Sequence, residues 1–317
     1  MPRNDRIGVD ELNILVVINE HNGGAQDAAV LLDAYFASQG ISATFIKAHD
    51  IPIGTRLCDV LAGQGFEGDD LYQDFDLAVV LGGDGTILRT ARVLAGKRTP
   101  IMGINFGHLG FLANASDAGV IPMVAAALAG DVSAEERSNL SVHVICEGDD
   151  ESDADAIAAG ELFEIEGEER MFFALNELAL TRGASGAIVT FELSISGDHV
   201  VSLRADGVVV STATGSTAYA LSAGGPLVAP GYRGLIVVPL APHTLLSRAI
   251  VTAPHDIVDL EMPREGGNEE VALFIDGEAL SFERPVKRVI IRQGAIATTL
   301  LDYRKEPFYS KISRVFF

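Results

Sequence analysis

Cysteine is scarce in this chain of 317 residues: Cys58 and Cys146 allow one disulfide at most, which excludes a disulfide-stapled scaffold. No apolar run reaches the ~18 to 20 residues that cross a bilayer, so an integral membrane protein is not expected. The apolar stretch 12–18 near the N-terminus runs into Asn19-Glu20-His21-Asn22 rather than a small-residue cleavage site, so no secretory signal is expected. These absences point to a reducing cytoplasm. Basic residues are also few, 23 Lys and Arg against 44 Asp and Glu, for a formal charge of −21. That field repels a nucleic-acid backbone and an anionic leaflet alike, so neither nucleic acid nor membrane is expected as a partner. A phosphorylated ligand would have to be drawn in by local backbone dipoles, a metal ion or a few placed arginines.

What is present is the composition of an ordinary globular protein, 48% hydrophobic and 21% charged, with 33 glycines and 12 prolines. At roughly 150 residues per domain the length suggests two domains. The first half alternates. Residues 13–19 read as a buried strand, 25–40 as an amphipathic helix closing on Gly40, and 41–49 as the next strand. Strands at 76–81 and 100–105, with helices from Thr86 to Ala95 and from Asp117 to Ala129, continue the pattern and predict a doubly wound, Rossmann-like parallel sheet over residues 1–133. Residues 147–169 carry eleven acids and no base, which reads as a solvated insertion, because such a segment has too little apolar surface to offset its ordering entropy. The rest of 134–301 consists of short β-branched runs, among them AIVTFELSI, GVVVST, LIVVPLA, KRVIIRQ and ATTLLDY, and predicts a β-sandwich domain. The tail 302–317 is expected to pack back on the first domain.

Three clusters carry chemistry. Leu81-Gly82-Gly83-Asp84-Gly85-Thr86 lies between a buried strand and a helix, the setting in which backbone amides and a helix N-terminus hold phosphate. A carboxylate in such a turn is costly unless it holds a metal or accepts the proton of an attacking hydroxyl; the plainer alternative is an Asx cap on the helix. Arg89, one turn on, is placed to neutralise phosphate or simply to face solvent. Seven of the twelve residues from Ser211 to Ser222 bear hydroxyls, suited to ribose and base edges or to local capping. Asn176-Glu177 interrupts the apolar run FFALNELAL, where adjacent residues of one strand face opposite sides, so that one of the two is expected to be solvent-facing.

Together with INFGHLGFL (104–112), PHTLLSR (242–248) and Asp276-Gly277-Glu278, these clusters occur in an order that resembles the NAD kinases over nearly the whole chain. GGDGT alone is shared with lipid kinases and phosphofructokinases, whereas TGSTAYALSAGGP is specific to the NAD kinase pattern. Ala213 and Ala249 stand where that family usually has proline, and the acidic segment is an insertion relative to it. The resemblance implies transfer of a phosphoryl group from ATP or polyphosphate to the 2′-hydroxyl of the adenosine ribose of NAD, with Asp84 as the base. It implies Gly82, Gly83 and Thr86 around the donor phosphates. Asp84, Gly85, Arg89, Asn176, Glu177, Arg204, Asp206, Thr214, Thr217, Ala218, Tyr219, Ala220, Leu221 and Ser222 are implied to line the NAD site, with Phe111 on the adenine and His243 as an auxiliary. It further implies a divalent cation, Mg²⁺, carried with the nucleotide phosphates rather than in a protein cage, and a homodimer or homotetramer in which Tyr219 reaches a neighbour's site. The competing readings are a lipid kinase of the diacylglycerol type, which would need basic surface to meet membranes, and a non-catalytic NAD-binding sensor, which would gain nothing from Asp84.

Overall fold

The computed structural model describes residues 12–107, 110–149, 170–184, 186–244, 247–263 and 271–316. The chain divides into two compact units, residues 1–135 with 299–317, and residues 136–298.

The first unit opens with β1 (Asn13–Ile18), α1 (Gly23–Gln39) and β2 (Ser42–Lys47). Asn22 caps α1 by accepting the Ala25 N–H, and Gly40 ends it in the left-handed region at φ +69, as its place after an amphipathic run predicts. After α2 (Leu57–Gly63) come β3 (Leu77–Leu81), α3 (Asp84–Val93), β4 (Ile101–Asn105) and the short β5 (Asn114–Ala115). The helix expected over 117–129 is a 3₁₀ turn at Ser116–Ala118 and then α4 (Val120–Leu128), because Gly119 at φ +81 breaks the path between them. The element β6 (Ser133–Arg137) follows. The sheet order is β2-β1-β3-β4-β19-β6, where β19 (Thr298–Asp302) is the last strand of the chain. β1, β2, β3 and β4 are parallel. Val16, Val79 and Met102 in the sheet pack with Leu32 and Phe36 of α1 and Met123 of α4, all nearly fully buried, each side chain contributing roughly 1.5–3 kcal/mol. ATTLLDY is therefore not a strand of the second domain as its β-branched pattern suggested. Leu300 pairs in parallel with Ile101, and Asn114 locks the junction by donating to the Gly103 and Leu301 carbonyls and accepting the Tyr303 N–H. The closing helix α6 (Phe308–Phe316) belongs to this unit.

The second unit is antiparallel throughout. One six-stranded sheet orders β11-β10-β15-β18-β7-β8 and the other β14-β13-β12-β9-β16-β17. Their strands are β7 (Leu140–Cys146), β8 (Met171–Ala174), β9 (Glu177–Arg182), β10 (Val189–Ile195), β11 (Asp198–Ala205) and β12 (Gly207–Ser211). After the one-turn helix α5 (Tyr219–Ser222) follow β13 (Ile236–Leu240), β14 (Ile250–Val251), β15 (Val258–Glu261), β16 (Val271–Ile275), β17 (Glu278–Ala279) and β18 (Val286–Gln293). FFALNELAL is not one strand. β8 pairs with β7 in one sheet and β9 with β12 and β16 in the other, so the chain changes sheets at Leu175-Asn176.

Most of the acidic segment, 150–169, lies outside the described residues. At its edges the Asp149 carboxylate is paired with both Arg170 and Arg284 and accepts the Cys146 N–H at 2.8 Å, so the two ends of the segment are clamped together. Cys58 and Cys146 are both free thiols. No helix among the described residues is long and apolar enough to cross a membrane.

Candidate functional site

In the first unit the chain runs from β1 to β2 on one side of the sheet and from β3 to β4 on the other, so the strand order reverses between β1 and β3. Ligands of open parallel sheets bind outside the carboxyl ends of the strands at this reversal. The Gly82-Gly83-Asp84 turn sits there, after β3, with the Asn19 N–H donating to the Leu81 carbonyl at 2.9 Å alongside. Gly83 is the N-cap of α3 and no side chain caps the helix, so the first-turn amides of a helix with a positive dipole end face outward from the turn. A Cβ on Gly82 would press on the Thr86 hydroxyl and on Asn19. Thr86 itself is buried, and Gly85 is exposed on the first turn.

Asp84 is the first residue of α3, and it does not cap the helix. Its carboxylate reaches across to the segment after β4, accepting the Phe111 N–H at 2.8 Å and the Leu112 N–H at 3.2 Å. Gly110 makes this approach possible, since any Cβ there would overlap the Asp84 carboxylate. The Asx-cap alternative is thereby corrected. The two amides fix the carboxylate while leaving lone pairs on both oxygens for a further donor. Arg89 donates to the Ala48 carbonyl at 3.4 Å, so its guanidinium is turned along the first unit rather than out to bulk solvent. The Phe111 ring stacks on Phe316 of α6, centroids 5.5 Å apart at 22°, which covers one of its two faces. His108 and Leu109 lie outside the described residues, as do Leu245 and Leu246 of the PHTLLSR segment.

In the second unit the sheet crossover gathers the remaining residues. Every backbone polar group of Leu175, Asn176 and Glu177 is held. The amides of all three donate to the Asp276 carboxylate, at 2.9, 2.7 and 3.1 Å. The Leu175 carbonyl accepts from the Thr212 hydroxyl at 2.7 Å, the Asn176 carbonyl from the Thr212 amide at 2.9 Å, and the Glu177 carbonyl from the Asp276 amide at 3.0 Å. The hydroxyl-rich turn locks onto the same backbone. Thr212 Oγ1 also accepts the Gly215 N–H at 3.1 Å, and Gly215 packs so closely on the Asn176 carbonyl that a Cβ would overlap it.

Neither residue of the Asn176-Glu177 pair is simply a solvent-facing strand residue: Asn176 is partly buried, and Glu177 is only 6% exposed. Burial, with the Asp276 carboxylate beside it, pushes the Glu177 carboxyl up to about 8, against the pull of the Tyr219 backbone N–H. It is then mostly neutral at pH 7 and can donate a hydrogen bond. Glu177 Oε2 and Thr214 Oγ1 are both buried with no hydrogen-bond partner among the described residues. A buried polar group costs free energy until it finds one, which makes both atoms candidates to meet the donors and acceptors of a ligand.

The other expected residues divide. Thr217 Oγ1 donates to the Thr214 carbonyl at 3.1 Å, Ala218 and Leu221 are half-buried, and Tyr219 and Ser222 are exposed. Ala220 is fully buried with Ala179, Val209, Ile236 and Val238, so its side chain belongs to the core. Arg204 and His243 are joined through the His243 N–H to the Arg204 carbonyl at 2.8 Å, both side chains exposed, and Asp206 pairs with Arg182 at 3.2 Å. Asn19 and Gly110 in the first unit, and Thr212 and Asp276 in the second, hold these residues in place; the sequence motifs contain Gly110, Thr212 and Asp276 without assigning them this role, and Asn19 lies outside them. Among the described residues no three His, Cys, Asp or Glu side chains gather to hold a metal ion.

The family model of the ATP-NAD kinase N-terminal domain matches residues 69–132, and that of the ATP-NAD kinase C-terminal domain matches residues 175–302. A NAD kinase of Caldanaerobacter subterraneus subsp. tengcongensis is 37% identical over 246 residues, 77% of this chain and 80% of its own. In fold, the chain is similar to yeast NADH kinase complexed with NADH, with a TM-score of 0.77 at 19% identity over 96% of this chain and 87% of the yeast one. It is also similar to an NAD kinase from Archaeoglobus fulgidus in complex with ATP, with a TM-score of 0.66 at 22% identity over 96% of this chain and 100% of the other. The two domain matches and the sequence identity over most of a relative's length show that the chain belongs to the NAD kinase family.

Proposed function

We propose that this protein phosphorylates the 2′-hydroxyl of the adenosine ribose of NAD, with ATP as the donor, giving NADP. The observation that carries the reading is the anchored Asp84 carboxylate, fixed by the Phe111 and Leu112 amides beside the uncapped start of α3. Phosphoryl transfer asks chiefly for positioning and charge neutralisation, with a base adding ~10² to 10⁴-fold. In this reading the Gly82-Gly83 turn and the first-turn amides, with Thr86, bind the donor phosphates. The Asp84 carboxylate accepts the proton of the ribose hydroxyl. It does so without moving, because its two amide partners preorganise it. Asn176, a neutral Glu177 and Thr214 hydrogen-bond the nucleoside of NAD, and the two orphaned oxygens support this assignment.

A divalent cation, Mg²⁺, is part of the reading; it would neutralise the donor phosphates. The donor set fits a cation brought in by the nucleotide, since each Asp84 oxygen keeps a lone pair beyond its one amide partner. The reading also makes the enzyme a homodimer or homotetramer in the cytoplasm, with Tyr219, which is 41% exposed, reaching a neighbour's site. Incubation of purified protein with NAD, ATP and Mg²⁺, read by mass spectrometry, tests the activity: NADP with one phosphate on the adenosine ribose is expected, and its absence at any donor concentration, with polyphosphate also tried, would overturn it.

A further inference from the structure

We infer that Asp276 is the positioning residue of the NAD site, holding Asn176 and Glu177 in place through their backbone; this rests on the NAD kinase reading above. The crossover at Leu175-Asn176 leaves one sheet and enters another, so its amides lose the ladder partners that a continuous strand would supply. A single carboxylate replaces them all. Asp276 Oδ1 accepts from both Asn176 and Glu177, and Oδ2 accepts from Leu175.

The backbone of Asp276 is shaped for this task. At φ +48 it occupies the left-handed region, where Asp is among the few tolerated side chains, in the turn between β16 and β17. Its own N–H bonds the Glu177 carbonyl at 3.0 Å, so Asp276 holds Glu177 by both its amide and its carbonyl. Such a conformation persists where surrounding contacts over-determine it, and here both the β16–β17 hairpin and the bonds to the crossover hold it. On the opposite edge Thr212 holds the Leu175 and Asn176 carbonyls. Asp276 thus contributes half of a clamp on the backbone that carries Asn176 and Glu177. The same carboxylate is the charged group beside Glu177, whose other partner is the Tyr219 amide. Asp276 therefore also helps keep Glu177 neutral, the form that donates.

The test is a series at this position on the full-length enzyme, with NAD binding measured by isothermal titration and KM measured separately for NAD and for ATP. Asp276→Asn keeps one acceptor oxygen and turns an NH₂ toward the remaining amide, whereas Asp276→Ala frees all three amides. The expected result is graded: NAD affinity lower by ~3 to 10-fold in Asp276→Asn and by at least ~30-fold in Asp276→Ala, with KM for ATP within about twofold of wild type. Asp256→Asn is the control, a turn carboxylate of the same unit that accepts the Ala253 amide and the Ser196 hydroxyl. It should lower the melting temperature without moving NAD affinity. The upper pH limb of NAD binding should also move to lower pH in Asp276→Asn, because Glu177 loses the neighbouring charge that keeps it protonated. The inference is overturned if both variants bind NAD within twofold of wild type. It is likewise overturned if NAD affinity and ATP KM worsen together in step with melting temperature. Should wild type bind NAD yet fail to phosphorylate it, the kinase reading fails while the titration series still decides the role of Asp276.

Discussion

The Asp84 carboxylate and the Phe111 amide, 2.8 Å apart, tie the start of α3 to the segment after β4, and Gly110 is the residue whose missing side chain lets them meet. Two substitutions separate the chemistry from the tie. Asp84→Asn retains an oxygen for one amide but cannot take a proton, so kcat should fall by at least ~10²-fold while NAD binds within a few-fold of its original affinity. Gly110→Ala leaves the carboxylate intact and displaces it. A loss of kcat of ~10-fold or more is expected there too, in single-turnover assays. Full activity in Asp84→Asn would remove the base; full activity in Gly110→Ala would show that the anchoring amides are dispensable.

Phe316 covers one face of Phe111 from the closing helix of the same unit. Stacked aromatic pairs contribute ~0.5–1.5 kcal/mol beyond their burial, enough to hold the Phe111 ring in one orientation. Phe316→Ala should raise the KM for NAD by ~3 to 10-fold with little change in the KM for ATP, and Phe316→Tyr should restore it. Equal effects on both substrates would mean that the helix supports the unit in general and not the ring.

Much of this was legible in the sequence, and the remainder was hidden for physical reasons. The GGDGT turn announces itself because glycines between a buried strand and a helix have few other uses. The α1 boundaries follow from Asn22 and Gly40. The sheet change at Leu175-Asn176 leaves no such mark, since FFALNELAL is apolar on both sides of it and periodicity reports burial, not hydrogen-bond partners. Asp276 belongs to a motif that carries the family resemblance, but it is about a hundred residues from the amides it binds, and nothing in the motif tells which backbone its carboxylate meets. ATTLLDY has the β-branched pattern of its neighbours, and only its parallel pairing with β4 assigns it to the other sheet. Asp84 showed its chemical type in the sequence but not its partners, which depend on how the 104–112 run folds back.

The clamp of Asp149 with Arg170 and Arg284 predicts that the acidic segment is dispensable if its base is kept. Replacing 151–168 with a short Gly/Ser linker should change kcat/KM by less than twofold, because loop length costs little closure entropy and the flanking pairs fix where the linker leaves and returns. Asp149→Ala should lower the melting temperature more than the deletion does, since it also frees the Cys146 amide. A drop in kcat/KM of more than tenfold on deletion would give the segment a role in the reaction.

The last prediction concerns pH and stability. Glu177 titrates near 8 in the fold and near 4.5 in the unfolded chain, so between these values the folded state binds the extra proton. Stability of the ligand-free protein from this group is therefore fully present below about pH 4.5 and is lost as pH rises towards 8, by up to about 1.4 kcal/mol per pH unit within that window. Glu177→Gln keeps the shape and a donor but carries no titratable proton. Wild type and Glu177→Gln should have similar melting temperatures near pH 5, and the variant should become progressively the more stable of the two up to pH 8.5. Comparing the two proteins cancels the opposite trend of the paired surface carboxylates, which gain stability as pH rises. Parallel melting curves across the whole range would mean that Glu177 is ionised in the fold, and would leave the ribose or base of NAD facing a carboxylate that accepts hydrogen bonds instead of donating one.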